Sequence, residues 1–272
     1  MATVRPPAVA GSFYPSDPDA LRGVVREYLD EARRSNPLSD SWPKALIVPH
    51  AGYMYSGPVA ANAFVLLEPS NEVVERVVLL GPSHHVPFDG LALPSNTAFE
   101  TPLGRVPIDE STRRQLLDLP FVDVLDDAHQ WEHSLEVQLP FLQEVLGTFA
   151  VLPIAIGHTA PEQVSKTLES VWGGDETVIV ISSDLSHYYD YDTAKRMDAA
   201  TAAAIESLKP ERISHEDACG RIGVQALLGA ARRHSLGART LDLRSSGDTA
   251  GGRNEVVGYG AWAFTVSKNG SP

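Results

Sequence analysis

Cysteine is almost missing from this chain: Cys219 is the only one among 272 residues, so no intrachain disulfide can form and packing must hold the fold. Basic residues are in deficit, 22 against 35 acidic, for a formal net charge of −13. A surface of that sign repels nucleic-acid backbones and anionic membranes. No apolar run approaches the ~18 residues of a membrane span, and Arg5-Pro6-Pro7 stands where a secretion signal would need its apolar stretch. These absences predict a cytoplasmic protein without nucleic-acid or membrane partners. No low-complexity linker divides the chain, so a single domain over 1–272 is expected.

What the chain does contain is one phrase written four times. Val77-Val78-Leu79-Leu80 breaks at Gly81-Pro82 and runs through Ser83 into His84-His85. Ala45-Leu46-Ile47-Val48-Pro49 runs into His50, Thr177-Val178-Ile179-Val180-Ile181 leads to His187, and Thr240-Leu241-Asp242-Leu243 leads to Asp248. Continuous β-branched and leucine runs mark strands buried on both faces. In open α/β sheets, ligands sit in the crevice beyond the carboxyl ends of the strands. If the four strands lie parallel in one sheet, three histidines and a carboxylate meet on one rim.

Helical patterns fill the intervals. Asp17 caps and Pro18 opens a helix carrying Leu21, Val24, Val25, Tyr28 and Leu29 on one stripe. Further helices are predicted through Ala60 to Phe64 and over 131–146, 161–172, 193–208 and 222–234, with strands over 149–156 and 256–266. Alternation of this kind predicts an α/β fold, a three-layer α/β/α sandwich with a mixed, largely parallel central sheet.

Not every histidine carries equal weight. His158, His215 and His234 stand in ordinary polar or helix-end settings. His129 and His133 are spaced like a zinc-protease pair, but Gln130 occupies the position of that motif's glutamate. His133 instead begins the predicted 131–146 helix beside Glu132 and Glu136, either of which is able to orient its ring. Two imidazoles and one carboxylate suit the facial triad of non-heme Fe(II), and a zinc hydrolase uses the same donor types. Spacing alone leaves iron and zinc both open. Asp184, beyond the 177–181 strand, is a rival carboxylate to Asp248.

The stretches Ala10-Gly11-Ser12-Phe13-Tyr14-Pro15, Pro49-His50-Ala51-Gly52-Tyr53, Gly81-Pro82-Ser83-His84-His85 and Glu132-His133-Ser134-Leu135-Glu136 now come together with Ser182-Ser183-Asp184-Leu185-Ser186-His187, Cys219-Gly220-Arg221, Ser246-Gly247-Asp248 and Val257-Gly258-Tyr259. In these, spread in order over nearly the whole chain, the sequence resembles the Memo family of the AmmeMemoRadiSam system protein B type. The fold of that family is similar to that of class III extradiol ring-cleaving dioxygenases.

By that resemblance His50 and His84 correspond to iron-ligating histidines, Asp248 stands where the dioxygenases have a glutamate ligand and animal Memo proteins a cysteine, His187 corresponds to the catalytic acid/base, and His133 to a second pocket histidine. The resemblance implies a mononuclear Fe(II) site on His50, His84 and Asp248, with Zn or Cu as alternatives, in a redox enzyme of dioxygenase type acting on a small phenolic molecule. A non-catalytic binding or signalling protein and a zinc-dependent hydrolase are the rival readings. A functional association with a radical SAM protein is a further implication.

Overall fold

Every residue of Ala45-Leu46-Ile47-Val48, Val77-Val78-Leu79-Leu80 and Val178-Ile179-Val180-Ile181 is fully buried, and alternation explains how both faces are covered. Leu46, Val48, Val77, Leu79, Val178 and Val180 enter one apolar core, while Ala45, Ile47, Val78, Leu80, Ile179 and Ile181 enter the other. Truncating one of the leucines to alanine would cost about 2–5 kcal/mol, because the tightly packed neighbours only partly collapse into the space left.

The computed structural model describes residues 3–37 and 41–266. In chain order the strands are β1 (Val4–Arg5), β2 (Ala45–Val48), β3 (Arg76–Pro82), β4 (Leu91–Leu93), β5 (Ala98–Thr101), β6 (Gly104–Pro107), β7 (Val122–Val124), β8 (Ala150–Ile156), β9 (Thr177–Ser182), β10 (His187–Tyr189), β11 (Leu236–Ser245) and β12 (Val256–Val266). The helices are α1 (Pro18–Ser35), α2 (Tyr53–Phe64), α3 (Glu110–Leu116), α4 (Asp127–Gln130), α5 (Leu139–Leu146), α6 (Pro161–Ser170), α7 (Tyr191–Glu206) and α8 (Arg221–Arg233). The α1 cap forms as the sequence predicts, with Asp17 accepting the Ala20 N–H at 2.9 Å.

One sheet of nine strands runs β10-β12-β2-β9-β3-β8-β4-β7, with β11 also paired to β12, and a second, three-stranded sheet joins β1, β5 and β6. Helices α1, α2 and α5 supply the first core and α3, α6, α7 and α8 the second, which completes three layers. Among the described residues, no helix is long and apolar enough to cross a membrane.

The sheet is parallel at its centre, β2-β9-β3-β8, and antiparallel where β4 meets β8 and where β12 meets β2, β10 and β11. The fourth strand of the recurring phrase, β11, which leads to Asp248, is therefore not a neighbour of the other three. It lies beyond β12, which separates it from β2. The helix expected over 131–146 is also interrupted: α4 ends at Gln130, a 3₁₀ turn covers Glu136–Gln138, and α5 starts only at Leu139. Pro140 sits in the first turn of α5, where its missing N–H has no partner to lose, so it opens a helix instead of bending one. His133 consequently lies in a loop.

Candidate metal centre

His50 follows β2 directly, and a buried hydrogen-bond chain fixes its ring. Ser182 Oγ donates to the Ser134 carbonyl at 2.6 Å and accepts from Gln138 Nε2 at 2.9 Å. The only hydroxyl proton is thereby committed, so the 2.8 Å contact between His50 Nδ1 and Ser182 Oγ must be donated by the ring. His50 Nε2 keeps its lone pair. At the end of β3 the same result is reached with a carboxylate: His84 Nδ1 meets Glu132 Oε1 at 2.9 Å, and the His84 backbone N–H donates to Glu132 Oε2 at 2.6 Å. Gly81 allows this loop its close approach, since a Cβ there would stand 2.8 Å from Ser134 Oγ.

Cys219 completes the set from the loop before α8. Its Sγ lies 3.3 Å from His50 Nε2 and accepts the Asp184 backbone N–H at 3.3 Å. Ligand atoms of His50, His84 and Cys219 all fall within 4.8 Å of one another. Two imidazoles with Nδ1 tied down and Nε2 free, plus one thiol, form a donor set that fits a transition ion, because an outer hydrogen bond on each ring fixes both its tautomer and its aim. Burial pushes the Cys219 thiol up to about 12, helped by the nearby Asp184 carboxylate. A bound cation would displace that proton, since the thiolate is the ligand form. Burial, with His84 and His133 alongside, holds His50 well below the usual histidine range, so its lone pair stays available at neutral pH.

Glu132 orients the site from beside His84, and with His84 and His133 it forms a second group whose ligand atoms lie within 4.8 Å of one another. Besides the His84 ring and backbone it accepts the N–H groups of His133 and Ser134, three of these four bonds falling on Oε1. Burial raises its carboxyl, but these hydrogen bonds and the His84 ring outweigh burial and hold it well below the usual carboxylate range. His133 stacks on His84 with ring centres 4.7 Å apart and tilts against Phe13 at 4.8 Å. Burial pushes it down to about 4.

Glu136, the other partner expected for His133, does something else. It accepts from the Arg5 guanidinium, the Tyr14 hydroxyl and the N–H groups of Ala8 and Val9, pinning the N-terminal segment that carries Phe13. His129 is a core residue, its Nε2 on the Ala92 carbonyl at 3.0 Å.

His187 opens onto the same cleft of about 680 Å³ as His50, His84, His133 and Cys219. Its Nδ1 lies 2.7 Å from the Leu185 carbonyl, an obligate acceptor, so Nδ1 carries the proton and Nε2 is left as the basic atom. Beneath this loop the buried Asp198 carboxylate accepts the Ser186 N–H at 3.1 Å. Gly258 permits that approach, because a Cβ there would lie 2.0 Å from Asp198 Oδ2.

Asp248 is not brought to the histidines. One of its oxygens accepts from the Ser245 backbone and hydroxyl, at 2.9 and 3.0 Å, and the other from the Tyr191 hydroxyl at 2.6 Å. It closes a capping box at the end of β11 and lines a separate cavity with Tyr191 and Lys195. The Cys219 thiol lies beside His50 where a carboxylate is expected, and β12 stands between β2 and the β11 strand that leads to Asp248. Asp184 is near, but its Oδ1 accepts the His50 backbone N–H at 2.7 Å. Burial raises it to about 7, and it shapes the loop that carries His50. The signal for Cys219 was its rarity: a lone cysteine just before a helix, in a chain rich in strand-end histidines, is a donor candidate independent of disulfides.

Fold and site together define an α/β protein with a histidine and cysteine cluster at the carboxyl rim of its parallel strands. The profile of the Memo-like protein family matches residues 5–263, and the chain belongs to that family. It is 37% identical over 269 residues to a "MEMO1 family protein" of Aquifex aeolicus, covering 94% of this chain and 97% of that relative. Similar relatives of that name occur in Sulfolobus acidocaldarius, 35% identical over 94% of this chain and 97% of the relative, and in Archaeoglobus fulgidus, 33% identical over 97% and 100%.

Proposed function

We propose that the protein is a metal-dependent redox enzyme that holds one transition ion on His50, His84 and Cys219 and acts on a small phenolic molecule. The convergence of those three donor groups, with both Nδ1 atoms already committed, is the observation that carries this reading. A thiolate in place of a carboxylate moves the preference from the Fe(II) of a facial triad toward softer ions. Iron or copper retains the redox chemistry; zinc would not. When bound, such an ion supplies Lewis acidity to a phenolate oxygen and exchanges electrons with O2.

The remaining work falls to the chain. His187 Nε2, unprotonated at neutral pH, takes the phenolic proton in the cleft, a task suited to an imidazole. His133 and Phe13 form an adjoining wall, with the His133 ring kept neutral by burial. Glu132 and Ser182 keep the ligand rings aimed.

Metal analysis of protein purified without oxygen, followed by O2 uptake with catechols, tests the proposal. Stoichiometric iron or copper with O2-dependent turnover is expected. Zinc alone with hydrolytic turnover would transfer the reading to a hydrolase, and a loaded protein that binds phenols without turnover would make it a binding protein.

A further inference from the structure

Tyr188 lies at the cleft in an unusual backbone conformation. Its φ is +63°, in the left-handed region that favours glycine and asparagine and disfavours an aromatic residue. The cause is a bulge: His187 pairs with Val257 and Tyr189 with Val256, so Tyr188 is squeezed out of register between β10 and β12. Such a bulge re-aims the neighbouring His187, and an asparagine at 188 would serve that purpose with less strain.

The identity of the side chain is a separate matter. Tyr188 is 74% exposed, and its hydroxyl makes no hydrogen bond among the described residues. Its ring meets the His187 ring edge-on at 5.8 Å. A strained backbone carrying a large ring that supports no core is the kind of outlier from which a functional role is argued. The ring lines the cleft beside Phe13, Tyr55, Tyr189 and Tyr259, so a ligand entering there meets several aromatic side chains.

We propose that Tyr188 is a specificity-determining residue whose ring stacks on a flat aromatic ligand at the mouth of the cleft. This deepens the phenolic reading above and rests on it. Stacking of two rings contributes beyond simple area burial, so the ligand class is planar and aromatic, not aliphatic.

The test uses the metal-loaded full chain and nitrocatechol as an absorbance probe, with cyclohexanediol as a non-aromatic competitor. Tyr188→Phe should bind nitrocatechol within twofold of wild type, and Tyr188→Asn should bind it roughly two- to tenfold more weakly. Tyr188→Asn should melt no lower than wild type, since asparagine tolerates this backbone, and should leave the effect of cyclohexanediol unchanged. Equal affinity across the three proteins overturns the inference while leaving the phenolic reading intact, and so does a clear fall in melting temperature with Asn. Absence of nitrocatechol binding by wild type, with or without metal, overturns both.

Discussion

Cys219 Sγ lies 3.3 Å from His50 Nε2, whereas both oxygens of Asp248 are engaged by Tyr191 and Ser245, and the consequence for metal binding is testable. Cys219→Ala should leave little bound metal at concentrations that saturate wild type, whereas Asp248→Ala should keep full stoichiometry, both read by metal analysis after gel filtration. The reverse pattern would restore the carboxylate. Glu132→Gln should retain the ligands but lower metal affinity by about 10- to 100-fold, as loss of an outer partner to a ligating ring typically does. His187→Ala should keep the metal and lose turnover by roughly 10²- to 10⁴-fold, and a loss below tenfold would remove its acid/base role. Four of the five residues singled out in the sequence meet in one cleft. His50, His84 and His187 were legible because each follows an apolar run by a few residues, and His133 because it stands between Glu132 and Glu136. Cys219 was not, since it follows no strand and arrives from a loop, 35 residues after the Asp184 N–H that its sulfur accepts.

At the scale of elements, the buried pair of Arg5 and Glu136 joins the first strand to the turn before α5, across 131 residues of chain. Glu136→Gln should lower stability by about 3–5 kcal/mol, because it leaves the Arg5 guanidinium buried without a counter-charge. Chemical denaturation checks this, and a change below 1 kcal/mol would mean that Arg5 finds water. The sequence showed α1, α6, α7 and α8 and the strands β2, β3, β8, β9 and β12 within a residue or two, because each is governed by local periodicity and caps. The break between α4 and α5 was hidden: the apolar spacing of Leu135, Leu139 and Leu142 continues through it, and what stops the helix is tertiary, the pull of Glu132 toward His84 and of Glu136 toward Arg5. The place of β11 was hidden for a similar reason. Apolar content reveals a strand but not its neighbours, and β12 claims the position between β11 and β2.

The whole molecule carries a pH signature from buried carboxyls. Burial raises Asp198 to about 6 from an ordinary 3.8, so the folded state favours its protonated form. The contribution of Asp198 to stability is therefore present at low pH and is lost as pH rises from about 4 to about 6, the loss being complete above the folded value. Asp198→Asn lacks the titration, so its stability relative to wild type should climb across that window and level off beyond it, as read from urea midpoints at several pH values. A constant difference would refute the assignment.

The same strand that displaces Asp248 also sets when the site can exist. β12 is the last described strand to be synthesised, yet it flanks β2, with Trp262 opposite Ile47 and Phe264 opposite Ala45, and its Gly258 bonds the two residues just before His187, accepting the Leu185 N–H and donating to the Ser186 carbonyl. A nascent chain still lacking those residues has His50 on an unfinished sheet edge and no settled His187. Pairings that span so much of the chain are slow to form. The sheet edge that carries His50 and the loop that carries His187 therefore settle only after β12 has paired, late in the assembly of the sheet.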